Sequence, residues 1–525
     1  MKREYQNRSR FVHRLRFSSL FCWLLLCVVS GCQCGAPAQT CQSDTDCAGD
    51  EVCNDNKICR NACKQQGECG ANLNCIGSVC QSFCRSYFGT GNISFKQIRS
   101  GHKGQLYIAG DFDQTLRVRP HSLTGKTPGK NDVATVSFSS QGVVRWAHSF
   151  GANEFNPSID MVVDLEGNMY VLTYAYQGDM GISTVIPKVS KSDYLVKINP
   201  EGKILWALSG FHGAQQLAVS PKGDVYMAGL AKVWDDEMVF VSHSIKKRPE
   251  LGVSTSYIAK INPQGSFDWV TPVAYSGEYK TMGCPFVHLA VHSKIFLTHC
   301  YENKLHIQGK TYQANGVSDT AVIQLDQNGS IQWHKRIQSE RYVKVEDIAA
   351  TSSGEVVLVG GFQDSLSIGS MVLSREDVRN YNDMAFVIRL HSSGQPTFLR
   401  TLEGIAQDEH LWGVRVLVDK NEDIFMLSVS KTIAETPFGV SVHFELSYYV
   451  TKWSKDRKLL WMTKKLEKMF INGMTLRSDK ALVLMGHSRE TVQLGNFALS
   501  SNATKDMFVY LALMDSETGQ WTCGP

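Results

Sequence analysis

A short phrase ending in an aromatic residue returns seven times along this chain of 525 residues. The clearest copies are DYLVKINPEGKILW (193–206), SYIAKINPQGSFDW (256–269) and DTAVIQLDQNGSIQW (319–333). Fainter ones are DVATVSFSSQGVVRW (132–146), DMAFVIRLHSSGQPTF (383–398), YYVTKWSKDRKLLW (448–461) and DMFVYLALMDSETGQW (506–521). The closing aromatics Trp146, Trp206, Trp269, Trp333, Phe398, Trp461 and Trp521 stand 60 to 65 residues apart. A fixed period of this kind marks a repeat architecture, in which each unit buries its faces against its neighbours.

A second phrase precedes each copy: KGQLYIAG, LEGNMYVL, PKGDVYMAG, SKIFLTH, SGEVVLVG, NEDIFML and DKALVLMG. Each unit therefore reads as four short strands. Strand A is an apolar stretch such as DMVVD, strand B is the second phrase, strand C is the YLVKI type, and strand D ends in the aromatic. Gly, Asn, Asp and Pro gather between A and B and between C and D, as tight hairpins require. One such meander cannot bury both faces alone; seven packed radially can. The expected fold class is all-β, a seven-bladed β-propeller of four-stranded antiparallel blades over residues 93–525, preceded by a small disulfide-rich stalk.

The paired phrases resemble the bacterial β-propeller repeats often found in lipoproteins of Gram-negative bacteria, and the resemblance covers most of the chain. Blades 4, 6 and 7 depart furthest. Blade 4 lacks the A–B glycine, and blade 6 aligns Lys458 with Gly202 of blade 2. Residues present in nearly every blade are expected to be scaffold. The tryptophans form inter-blade core, the glycines supply positive φ, and Asp132, Asp193, Asp319, Asp383 and Asp506 bond the turn entering strand C.

The N-terminus sets the expected location. A basic stretch to Arg16 precedes the apolar run FSSLFCWLLLCVV (17–29), then Ser30-Gly31-Cys32. That is the order of a secretory signal, and the run is short of the roughly 20 apolar residues a membrane span needs. An uncleaved signal anchor is the competing reading. Val29-Ser30-Gly31-Cys32 also resembles the bacterial lipobox. The resemblance implies a signal peptide over 1–31 and acylation of Cys32, followed by a linker over 32–40. It also implies a membrane anchor; Gln33, in place of an aspartate, favours the outer membrane. Several acyl chains hold a protein stably where one does not.

Thirteen of the 16 cysteines precede residue 85. Cys41, Cys47, Cys53, Cys59, Cys63, Cys69, Cys75, Cys80 and Cys84 form a ladder of two similar modules over 41–84, resembling short cysteine-rich modules of bacterial surface lipoproteins. Few large apolar residues separate them, so disulfides are expected to stabilise this stalk. Zinc is the weaker alternative, since no C-x2-C pair occurs there. Thirteen cysteines besides Cys32 survive signal removal, an odd number, and Cys34 is the expected remainder. Cys84 and Cys523 are candidates to clasp the ring ends, replacing a split-blade closure. In CPFVHLAVHSKIFLTHC, Cys284 and Cys300 are expected to pair, with His288, His292 and His299 partly exposed; a metal site is the alternative.

Function is less legible. Six Lys/Arg and one acid lie before residue 32, which leaves 48 basic against 49 acidic residues afterwards. That balance gives no electrostatic footprint for nucleic acid. No nucleophile, zinc-protease, P-loop or dinucleotide motif occurs, so neither cofactor, metal nor catalysis is expected. The B–C segments are long and dissimilar, and variable segments on a rigid scaffold are the usual home of binding. Trp234 in the blade 3 segment and Trp412 in the link entering blade 6 are the candidate ligand-face aromatics. The expected partner, besides the membrane, is an envelope or extracellular protein or glycan. INPEGKILW is also similar to the repeats of quinoprotein-like propellers, which implies an envelope-assembly scaffold as a rival; a propeller hydrolase or lyase is a second.

Overall fold

The computed structural model is all-β, with seven four-stranded antiparallel blades, three of them extended to six strands by an added hairpin, and no α-helix among the described residues. It describes residues 74–76, 79–81 and 85–90. Between 92 and 522 it omits positions 119, 128, 141, 247, 249, 253 and 285. Also omitted are 152–157, 176–191, 233–236, 241–242, 278–283, 375–382, 403–409, 435–442, 495–496 and 500–507. Residues 1–82 and 83–524 are separate units. In the first, the described part is a hairpin of Asn74–Ile76 and Val79–Gln81, whose register sets Cys75 opposite Cys80. The signal segment, Cys32, Cys34, the other stalk cysteines and Cys523 lie outside the described residues.

Blades 1 to 6 span 93–150, 158–211, 214–276, 289–338, 342–401 and 410–462, each a meander paired in the order A-B-C-D. Blade 7 is built differently. Its first three strands are Phe470–Leu476, Ala481–Ser488 and Phe508–Asp515, and its fourth is Arg85–Thr90 from the start of the unit. Arg85 to Phe88 pair with Leu511 to Phe508, while Trp521 makes only a single bridge to Met514. The blade is therefore split, contrary to the expected closure by a Cys84–Cys523 bond alone, and the propeller reaches back to Arg85. The reason is an exposed edge: seven of the eight residues in Phe508–Asp515 are buried, and an unpaired apolar edge would be an aggregation template.

One row of residues crosses blades 1 to 4 and 6 and explains the repeat. Tyr107, Tyr170, Tyr226, Phe296 and Phe425 on strands B lie in register with Trp146, Trp206, Trp269, Trp333 and Trp461 on strands D. Their ring centroids are 5.9 to 6.3 Å apart. Each indole then reaches the C–D turn of the next blade. Trp146, Trp206, Trp333 and Trp461 donate from Nε1 to the carbonyls of Pro200, Pro263, Ser392 and Ser516 at 2.9 to 3.2 Å. The turn glycine lies on the indole face: at Gly265, φ is +84° and a Cβ would sit 2.8 Å from Trp206 Cδ2. The recurring Trp and Gly of the phrase are thus one contact, made between blades. In blade 6 the matching turn residue is Arg457, at φ 77°, whose amide bonds Ser454 as Gly202 bonds Asn199. The alignment of Lys458 with Gly202 is thus one residue too late.

The repeated aspartates serve more than one turn. Asp132 and Asp319 do accept from the segment entering strand C, at Lys126 N (2.7 Å) and Asn315 N (3.0 Å). Asp193 instead accepts from Ala214 N (2.8 Å) at the start of blade 3, and Asp383 holds the side chains of Gln363 and His410. Asp506 lies outside the described residues.

Around the axis, strand A carries a β-bulge in six blades, ending at Gln97, Asp160, Gln216, Asp347, Arg415 and Gly473. The bulge re-aims the following side chain, which in blades 2, 3 and 5 tethers the next blade. Asp160 accepts from Leu217 N at 2.7 Å, Gln216 from Leu289 N at 3.1 Å and Asp347 from Val416 N at 2.9 Å. Burial raises the Asp160 and Asp347 carboxyls above their usual range, against the pull of Arg99 and Arg415. These groups read as a central clasp.

Candidate ligand-binding face

In this topology the A–B and C–D turns share one face of the disc, and strands A begin on the other. The B–C segments, expected to crowd that second face, behave differently. Those of blades 1, 4 and 5 fold into hairpins that add to the outer strand of the preceding blade: Leu305 and His306 pair with Ser276 and Tyr275, and Ile368 with Ile337. Their apolar positions point inward, as the burial of Leu305, Ile307, Leu366 and Ile368 shows. The segments of these three blades are therefore rim straps that seal clefts between blades, and there they leave the second face to the first residues of strands A.

Trp412 lies there, in strand A of blade 6 (His410–Val418) and not in the link before it. It is half-buried. Its ring stacks on His410 (centroids 5.7 Å, interplanar 13°), and Nε1 donates to the Tyr342 hydroxyl of blade 5 at 3.1 Å. Gly361 makes the fit possible, since a Cβ there would lie 2.2 Å from Trp412 Cδ1. His410 Nδ1 is 2.8 Å from Asp383 Oδ2, and Gln363 donates to the other oxygen at 2.8 Å. Asp383 N also donates to His410 Nδ1, at 3.3 Å, so both the backbone and the side chain of Asp383 hold the imidazole. Burial, and then Asp383, push the Tyr342 hydroxyl well above the usual phenol range, so it stays protonated.

Register from the bulge shows what Trp412 corresponds to. One strand A residue is skipped at each bulge, and the position three before the bulge's end holds Lys344 in blade 5, Trp412 in blade 6 and Phe470 in blade 7. Phe470 is 46% exposed and stacks on His487 (4.9 Å, 5°). Lys344 lies over the Phe286 ring at 4.8 Å, and Phe286 is 45% exposed. Phe286, Trp412 and Phe470 thus stand at the strand A ends of blades 4, 6 and 7, each against a cation or imidazole. Exposed aromatics in such settings are energetic anchors at interfaces. The sequence alone does not single out Phe286 and Phe470, because a lone aromatic before a strand looks like core; counting from the bulge singles Phe470 out. Trp234 lies outside the described residues.

Blade 4 departs for a covalent reason. Cys284 and Cys300 are bonded, with Cα atoms 5.6 Å apart, and both are buried. The bridge and two hydrogen bonds between His288 and Thr298 hold the approach to a strand A of only three residues, Leu289–Val291. His288 and His299 are buried, which corrects the expectation that they are partly exposed. Burial lowers both to about 3, so both are neutral at ordinary pH. His299 is buried because blade 4 exchanges sizes across one cross-strand pair. Gly229, Gly360 and Gly486 face Tyr257, Phe386 and Tyr510, whereas His299 faces Ala321. Among the described residues, no three metal-ligating side chains gather, here or elsewhere.

No family model matches the chain, and no curated protein matches it. Solved propellers do resemble it in fold. The WD40 domain of Pan2 from Neurospora crassa is 10% identical over 80% of this chain and 89% of that one, with a TM-score of 0.39. An ulvan lyase is 10% identical over 83% and 97%, with a TM-score of 0.39. The β-propeller domain of the Trilobed protease from Pyrococcus furiosus is 8% identical over 75% and 89%, with a TM-score of 0.38.

Proposed function

We propose that the protein is an exported, lipid-anchored binding protein, acylated at Cys32. Its propeller captures an envelope or extracellular protein or glycan through the face on which strands A begin, without transforming it. The observation that carries this reading is the set Phe286, Trp412 and Phe470 at strand A ends: Phe286 and Phe470 are the exposed aromatics among the described residues, and Trp412 is partly exposed beside them. A rigid scaffold presenting a few aromatic anchors loses little conformational entropy on binding. The lipobox-like Val29-Ser30-Gly31-Cys32 supports the anchor, and the cysteine ladder supports an oxidising compartment.

The soluble region from Cys41 onward, used as bait against envelope proteins and glycans, should retain a partner. Trp412→Ala with Phe470→Ala should reduce that retention about tenfold or more, as loss of anchor residues does, while thermal unfolding stays cooperative. Equal retention by the double variant would contradict the assignment of this face. Incorporation of a fatty-acyl label that is lost in Cys32→Ser is the matching test of the anchor.

A catalytic reading as a hydrolase or lyase has one observation in its favour, the His410–Asp383 pair. A carboxylate-oriented imidazole is the usual form of a general base.

A further inference from the structure

The aromatic row that binds each blade to the next is broken once where strand D is otherwise complete. In blade 5 the strand B position is Val357 in place of Tyr or Phe, and the strand D position is Phe398 in place of Trp. The neighbouring turn of blade 6 is changed as well, with Arg457 where blades 2 to 5 carry glycine. Two large rings have been replaced by smaller side chains on one side of the junction. Beside Phe398, on the turn face of this junction, lies an open cavity of about 300 Å³ lined otherwise by polar and charged side chains.

The surroundings of this cavity are held firmly. Arg389, the strand C residue of the same row, is buried and joins the two blades. Its Nε is 2.5 Å from Glu355 of blade 5, Nη2 pairs with the Glu422 carboxylate of blade 6, and Nη1 donates to the Glu422 carbonyl at 3.3 Å. Burial alone would raise the Glu422 carboxyl; bonds from Ser353 and then Arg389 outweigh it and hold the group ionised. Phe398 lies on the inner side, packed edge-on against Trp453 at 5.9 Å. Lys455, Asp456 and Arg457, on the blade 6 turn, line its other side. At four other junctions the second turn residue's carbonyl receives an indole N–H. Here that carbonyl belongs to Lys455, Phe398 has no N–H to offer, and among the described residues no donor meets it.

We propose that this pocket binds an indole-type ring, a planar aromatic group with a ring N–H, in the place the repeat's own tryptophan holds elsewhere. The ring sits against Phe398 and Arg389 and donates to the Lys455 carbonyl. Arenes stack favourably on guanidinium groups, and the turn carbonyl supplies direction. The ring can arrive as a free small molecule or as a tryptophan side chain of a peptide; the chemistry recognised is the same. The site is on the face opposite the proposed partner surface and does not depend on it.

The test is fluorine NMR of the intact protein with two probes, 5-fluoroindole and the acetylated amide of 5-fluorotryptophan. Saturable broadening of the first alone assigns a small-molecule ligand; broadening of the second assigns a peptide side chain. The double variant Phe398→Trp with Arg457→Gly restores the residues found at the other junctions and fills the cavity. It should weaken probe binding by about tenfold or more and melt above the parent. Ser353→Trp, at an exposed turn residue on the pocket edge, should weaken binding without touching the core. No broadening of either probe by the parent protein, or undiminished binding in both variants, would overturn the proposal.

Discussion

A chain that begins at Asn92, and so lacks Arg85–Thr90, is expected to lose most of its stability. The missing strand pairs four residues with blade 7 and also carries the hairpin of blade 1, through Phe88 to Thr90 against Arg117 to Thr115. Without it, the apolar strand Phe508–Asp515 becomes a free edge, and the junction between blades 7 and 1 opens. The loss is on the order of 5 kcal/mol, comparable to the whole stability of many domains. For a protein of this size that corresponds to a fall in Tm of about 5 °C, with aggregation through the exposed edge. Differential scanning calorimetry of the two forms checks it. A truncated chain that melts within about 2 °C of the parent would show that the ring is closed by something other than this strand.

The second large effect is a pH dependence located at Asp193. This residue is 3% exposed, and among the described residues its carboxyl accepts a hydrogen bond from Ala214 N. Burial pushes its carboxyl from the ordinary 3.8 up to about 7, the bond from Ala214 acting in the opposite direction. A carboxyl raised in the folded state favours folding when protonated. Its stabilising contribution is therefore complete below about pH 4, declines as pH rises, and is gone above about pH 7. A rise of that size corresponds to about 4 kcal/mol, an upper limit for a group that can relax. Asp193→Asn keeps an oxygen to accept from Ala214 but cannot ionise. The variant should match the parent at pH 4 and exceed it at pH 8 by a few kcal/mol. Parallel denaturation curves at both pH values would remove Asp193 as the cause.

The architecture was legible because the scaffold contacts are repeated. Trp146, Trp206, Trp333 and Trp461 meet the same turn in successive blades, so one physical contact wrote the same letters into the chain several times. Closure was not legible for the opposite reason. The strand Arg85–Thr90 occurs once, before the first repeat, and residues 506–521 imitate a complete final copy although Trp521 makes only one bridge. Trp412, expected in the link entering blade 6, lies in strand A, because nothing in the sequence marks where a bulged strand begins. The rim position of the B–C hairpins was hidden too, since their partner strands belong to the preceding blade. At the blade 5–6 junction, Phe398 stood out among six tryptophans, but Arg457 was masked by a one-residue shift of the turn. Residues that differ between blades need the register before they acquire meaning.

The central claim is that the face bearing the strand A ends meets the partner. Site-specific photo-crosslinking in the native cells tests it and requires no candidate ligand. A photoreactive amino acid is placed in turn at Phe286 and Phe470 on that face, and at Leu165, 58% exposed in a turn on the opposite one. The account predicts a discrete adduct from Phe286 and Phe470 and none from Leu165. An adduct from Leu165 alone, or equal adducts from all three, would contradict it.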